Sequence, residues 1–155
     1  MLLGVIIMKL VFCSDHRGYT LKNELIKKVE NELGYECIDC GCDSTQRCDF
    51  PIYAFKASEM VANNEANYGI VICGSGDGVC VASNKVKGIR CTLVVNKEDA
   101  SRAKAHINAN VLALGAEKTD LDEAFYIVKA LVDTAFLNER HLDRIEMITQ
   151  YENEH

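Results

Sequence analysis

Several things are scarce in this chain. It has one proline, Pro51, and no repeat, low-complexity tract or linker-like stretch, so nothing divides its 155 residues and one domain spanning 1–155 is expected. The opening apolar stretch, Met1 to Met8, has no basic segment ahead of it and is broken by Lys9 well short of a membrane span. Neither a secretory leader nor a membrane helix is expected. Basic residues are outnumbered, 17 against 23 acidic, for a net charge of -6. That balance argues against a general nucleic-acid binder while leaving room for a local basic pocket around a small phosphorylated ligand. Metal-ligand spacing is missing too. Cys37-Ile38-Asp39-Cys40, with Cys42 and Cys48, is followed by no second ligand pair, and the four histidines are dispersed. Residues three apart on a strand face opposite sides, so no metal site is expected. The eight cysteines sit in a chain long enough to bury a core without disulfides, and they read as reduced thiols in the cytoplasm.

What the chain does have is alternation. Strand-like runs recur at Leu10 to Cys13, Glu36 to Asp39, Gly69 to Cys73, Arg90 to Val95 and Asn110 to Leu114. Between them Leu21, Leu25, Val29 and Leu33 mark one face of a helix whose other face carries Lys22, Lys27, Lys28 and Glu30. Pro51 opens a second helix over Ile52 to Asn63, as proline suits a first helical turn. A short helix runs to about Lys87, and Asn96 or Asp99 caps the next, through Ala105. Thr119 and Glu123 frame a longer helix with an apolar stripe from Leu121 to Ala135. Residues 1–7 read as an extension of the first strand or an upstream start, and the acidic tail 151–155 is expected to fray. Five short strands separated by helices imply right-handed βαβ units and an α/β fold with an open, doubly wound parallel sheet. Ligands on such sheets bind outside the carboxyl ends of the strands.

The most informative segment lies at one such end. Cys73-Gly74-Ser75-Gly76-Asp77-Gly78 follows the apolar run Tyr68 to Ile72 and precedes a helix-compatible stretch. A strand, a glycine turn and a helix start together aim backbone N–H groups at one spot. The field that holds an anion there also favours thiolate over thiol. A cysteine at a strand end is ordinarily a buried structural thiol, but only Cys73 of the eight opens an anion loop. Ser75 serves the turn or faces the same cavity. Asp15 and His16 follow the first strand, where polar residues before a helix ordinarily cap it, and Asp49 lies beyond the second strand. His106 falls near a helix end, where a histidine complements the dipole. Arg140 and Arg144, four apart on a last helix, share a face with His141 between them, and read either as a solvated face or as a phosphate clamp.

With those residues in view, the chain resembles the B-type ribose-5-phosphate isomerases and the related galactose-6-phosphate and allose-6-phosphate isomerases. The matching stretches include Cys13 to His16 with Gly18, Ile38-Asp39 with Gly41, Asp49 to Pro51 with Tyr53-Ala54, Ile70 to Gly78, Ala82 with Asn84-Lys85, Gly88 to Arg90, Asn110 to Gly115, and Arg140-His141 with Arg144. The resemblance runs from Met8 to about Gln150. It implies a three-layer αβα sandwich with a five-stranded parallel, Rossmann-like sheet, working as a homodimer or dimer of dimers with active sites at the interface. It implies Cys73 as the base that moves a proton between C2 and C1 of an opened aldose phosphate. His106 and Asp15 would open the ring with help from Ser75. The backbone of Gly74 to Gly78, including Gly76 and Asp77, would hold the enediolate, and His16, Arg140 and Arg144 the phosphate. Asp49 and Asn108 are further substrate-binding candidates. A glutamate base used by some members would fall at Val79, so this chain looks like a cysteine-type enzyme. No metal or organic cofactor is implied.

The pattern also has departures. Ile107 stands where many members have asparagine, with Asn108 next. Phe50 replaces a tyrosine, Glu117 beside Lys118 replaces a phosphate-binding arginine, and Asp77 puts a carboxylate into the loop. The expected substrate pair is ribose 5-phosphate and ribulose 5-phosphate. The alternatives are a six-carbon sugar phosphate such as allose or galactose 6-phosphate, or a non-catalytic phosphate-binding α/β module.

Overall fold

Residues 7–155 are described by a computed structural model. The expected extension at 1–7 lies, except for Ile7, outside them. Among the described residues five strands alternate with helices: β1 (Lys9–Ser14), α1 (Tyr19–Leu33), β2 (Glu36–Asp39), α2 (Phe50–Ala62), β3 (Tyr68–Cys73), α3 (Asp77–Ser83), β4 (Cys91–Leu93), α4 (Lys97–Ile107), β5 (Val111–Gly115), α5 (Leu121–Asp133) and α6 (Arg140–Glu154). The sheet order is β2-β1-β3-β5-β4, with every pairing parallel.

The period-two alternation of each strand divides the core into two halves. Leu10, Phe12, Ile70, Ile72, Leu112 and Leu114 face α1, α4 and α5. Val11, Cys13, Val71, Cys73, Val111 and Ala113 face α2 and α3. The three-layer α/β/α sandwich follows from that division, and it decides the side on which the Cys73 thiol emerges. Cys37 packs with the first half and Cys40 with the second, the opposite orientation that spacing by three on a strand dictates.

Helix ends follow local chemistry with three differences from expectation, the first being that α3 stops at Ser83 and not near Lys87. Asn96 caps α4 by accepting the N–H of Asp99 at 2.8 Å. The cap of α5 is Asp120, which accepts the N–H of Glu123 at 2.9 Å, and not Thr119, whose buried hydroxyl has no partner among the described residues. The tail expected to fray is helical: α6 runs to Glu154, and both carboxylate oxygens of Glu152 accept the N–H of Gly88 at 3.0 and 3.1 Å. Helix α6 buries only Ile145 and leaves Leu142, Met147, Ile148 and Tyr151 exposed.

Candidate active site

The chain leaves β1 toward α1 on one face and leaves the adjacent β3 toward α3 on the other. Between those two exits opens a crevice at the carboxyl ends of the strands, the place such sheets reserve for ligands. A cleft of about 790 Å³ fills it, bounded by Asp15, His16 and Arg17 after β1, by the Arg47 to Pro51 segment ahead of and entering α2, and by Cys73, Gly74, Ser75 and Gly78.

Several polar groups in the cleft are anchored. Asp15 is buried, and its Oδ1 accepts the N–H groups of Arg17 at 2.9 Å and Gly18 at 3.1 Å, closing the turn that leads into α1. His16 Nδ1 accepts the N–H of Cys48 at 3.3 Å, so in the neutral ring the proton sits on Nε2. Asp49 is the N-cap residue of α2, yet its side chain caps nothing and remains free to face the cleft. The loop carrying it is tied from beneath by Lys22. Its wholly buried ammonium donates to Asp39 Oδ1 at 2.6 Å and to the Cys42 carbonyl at 2.9 Å.

Cys73 ends β3, almost completely buried, and its Sγ accepts the N–H of Gly76 at 3.1 Å. That bond requires the chain to turn back sharply, which Gly76 permits at φ +86°. A Cβ there would lie 2.4 Å from Leu93 Cδ1 and 3.0 Å from the Leu114 carbonyl carbon. Ser75 Oγ accepts the N–H of Asp77 at 3.2 Å. Two of the five loop residues expected to hold an oxyanion thus spend their N–H groups within the loop. Gly74, Ser75 and Gly78 border the cleft, whereas Gly76 and the exposed Asp77 do not. Asp77 instead lines an apolar depression with Phe55 and Val81.

The remaining predicted residues gather elsewhere. His106 stacks on His141, with ring centroids 4.7 Å apart and planes within 5°, joining the ends of α4 and α6. Arg140 and Arg144 flank His141 on α6, and all three lie outside the residues bounding the Cys73 cleft. Burial lowers the His141 pKa from its usual value, with His106, Arg140 and Arg144 pushing the same way. Asn108 caps α4 in a left-handed conformation, and its carbonyl accepts Arg90 Nε at 3.0 Å. The predicted residues therefore fall into two separate groups: a thiol with carboxylates, and a cluster of imidazoles and guanidiniums. Among the described residues no group of three or more His, Cys, Asp and Glu side chains converges to hold a metal ion.

Residue-by-residue reading overlooked Arg17, Arg47 and Cys48 as cleft residues. Arg17 directly follows Asp15-His16 and Arg47 stands two residues before Asp49, so adjacency to chosen residues was the available signal.

Comparisons with known proteins agree with this geometry. A family model described as Ribose/Galactose Isomerase matches residues 10–148. Ribose-5-phosphate isomerase B of Escherichia coli is 38% identical over 144 residues, 93% of this chain and 96% of the relative. The solved structure of ribose-5-phosphate isomerase B from Clostridium thermocellum superposes with a TM-score of 0.90 at 39% identity, covering 95% of this chain and 99% of the other. The enzyme from Mycoplasma genitalium, solved with bound ribulose 5-phosphate, gives 0.89 at 36% identity, covering 96% and 98%.

Proposed function

The chain belongs to the ribose/galactose isomerase family, and on that footing we propose that it interconverts ribose 5-phosphate and ribulose 5-phosphate through an enediolate. The observation that carries this reading is the buried Cys73 thiol at the floor of a phosphosugar-sized cleft shared with Asp15, His16 and the glycine loop. Cys73 takes the proton from C2 of the opened aldose as thiolate, the thiol so formed exchanges its hydrogen with water in the cleft, and it then delivers a proton to C1. The electron pair left by the C2–H bond forms the enediolate as charge moves onto O1, the O2 hydroxyl proton passes to O1 so that the carbonyl can re-form at C2, and the N–H groups bordering the cleft at Gly74, Ser75 and Gly78 stabilise the charge. The Gly76 N–H holds the sulfur in place, since such a donor is stronger toward a charged acceptor. Asp15 and Ser75 assist ring opening, and Asp49 orients the sugar. His16, with Nδ1 occupied, offers Nε2–H to the phosphate.

Ring opening by His106 and phosphate binding by Arg140 and Arg144 call for a second copy. We assign the working unit as a homodimer, alone or paired, in which the imidazole–guanidinium cluster of one protomer closes over the Cys73 cleft of its partner. The exposed apolar side of α6 and the apolar depression at Phe55 and Val81 support that assembly. Its compartment is cytoplasmic, in keeping with eight free thiols. Among the described residues no helix is long and apolar enough to cross a membrane.

The test is turnover of a panel of five- and six-carbon aldose phosphates by the purified protein. Preference for ribose 5-phosphate is expected. Preference for allose or galactose 6-phosphate would move the assignment to a hexose phosphate, and turnover of none would make the chain a binding module. Mixing Cys73→Ser with His106→Asn protein tests the shared site, because mixed dimers regain one intact site that neither variant has alone.

A further inference from the structure

The cleft side of Gly74 carries a contact that the proposed reaction leaves unused. The Arg17 side chain lies across this glycine, its Cδ 2.8 Å from where a Gly74 Cβ would sit, so any side chain there would push it aside. Its Nη1 donates to Glu117 Oε1 at 3.1 Å. Glu117 is held beside the loop by its own N–H, which donates to the Gly74 carbonyl at 3.0 Å. Neither side chain is buried, at 63% and 60% exposure, so the pair gains little net free energy and opens readily. The root of Arg17 does not move with it, because its backbone N–H is fixed on Asp15 Oδ1 at 2.9 Å. A guanidinium with a fixed base, facing the cleft and neutralised by a displaceable carboxylate, is built to exchange partners. A phosphomonoester dianion outcompetes a single carboxylate for the planar fork of an arginine, through greater charge and a bidentate geometry.

We propose that Arg17 is the protomer's own phosphate-binding arginine and that Glu117 is its resting counter-ion, displaced when the phosphoryl group of the substrate arrives. This assignment rests on the sugar-phosphate reading above and deepens it. One cation of the phosphate site is then present before any partner protomer docks, and Glu117 sets how much charge an incoming ligand must bring. A neutral sugar gains nothing from displacing the carboxylate, so the pair discriminates for phosphorylated substrates.

The test is a double-mutant cycle on full-length protein, reading KM and kcat for ribose 5-phosphate and calorimetric binding of inorganic phosphate. Arg17→Met is expected to raise KM and the inorganic phosphate Kd together by about 10- to 100-fold, the loss of one charge-assisted contact, with kcat nearly unchanged. Glu117→Gln is expected to lower both by about 2- to 5-fold, the value of an exposed ion pair. In the Arg17→Met background the Glu117→Gln effect disappears, an outcome that a merely structural role for either residue does not give. Arg17→Lys, with charge but no fork, falls between wild type and Arg17→Met. An unchanged KM in Arg17→Met overturns the proposal, as does weaker phosphate binding in Glu117→Gln. A change in inorganic phosphate binding without a change in KM overturns it too, by assigning Arg17 to free phosphate rather than substrate. Wild-type protein that turns over no sugar phosphate defeats the functional reading instead, and the calorimetric arm then judges Arg17 and Glu117 alone.

Discussion

Lys22 and Asp39 are an ion pair with one partner in the core and the other at the surface, and removing either should cost different amounts. The Lys22 ammonium is wholly buried, and the Asp39 side chain is 46% exposed. Lys22→Met keeps a flexible stem of similar length in the same space and strands a carboxylate that water can still reach. The loss is two charge-assisted hydrogen bonds less the relief of a buried charge, about 1–2 kcal/mol net. Asp39→Ala strands the ammonium, which among the described residues keeps the Cys42 carbonyl at 2.9 Å as its one acceptor, and removes the acceptor of the Gly41 N–H. That change should cost about 3 kcal/mol or more, as expected for an uncompensated buried charge. For a chain of this size the corresponding drops in Tm are about 2–8 °C and 6–12 °C. Urea unfolding of both variants at one fixed protein concentration measures the difference. Because Lys22 ties down the loop leading to Arg47 and Asp49, KM should also rise in both. Equal destabilisation by Lys22→Met and Asp39→Ala would show that burial does not decide the cost.

Gly76→Ala places a methyl group at φ +86° and 2.4 Å from Leu93 Cδ1, so about 2–4 kcal/mol of stability and most of the activity should be lost; wild-type Tm and kcat would contradict the turn geometry. The His141 pKa lies below its usual value, so between that lowered value and about 6.5 the unfolded chain binds the proton and the folded chain does not. Stability from this residue is therefore lost as pH falls below about 6.5, and the Tm of His141→Gln should drop less than that of wild type between pH 7.5 and 5.5; parallel curves would remove the cause. Glu152→Gln should free the end of α6 from Gly88 and speed amide exchange over 146–154, and unchanged exchange there would show that the contact does not hold the helix.

How legible the molecule was depended on how local its causes are. Strand β2 falls on Glu36–Asp39, as its sequence pattern marks it, whereas the run Arg90 to Val95 shortens to Cys91–Leu93. Beyond Leu93 the chain keeps one further bond to β5, the Val94 N–H on the Ala113 carbonyl at 3.1 Å, before Asn96 caps α4. The contact of the tail, Glu152 on Gly88, spans 64 residues and leaves no local signature. Asp15, His16 and Cys73 could be placed from sequence, since strand ends on a doubly wound sheet converge by topology alone. His106, Arg140 and Arg144 could be named but not placed, since the His106–His141 stack brings them together away from Cys73. Arg17 was passed over because its meaning depends on Glu117, 100 residues away.

The central claim, that Cys73 moves the proton of an opened sugar phosphate, is tested most directly by comparing wild type with Cys73→Ala on ribose 5-phosphate in deuterated water. Ribulose 5-phosphate formed by the wild type should carry deuterium at C1, and the variant should lose both rate and label by about 10²- to 10⁴-fold while keeping a KM near that of wild type. A Cys73→Ala protein that forms labelled ribulose 5-phosphate at the wild-type rate would contradict the account.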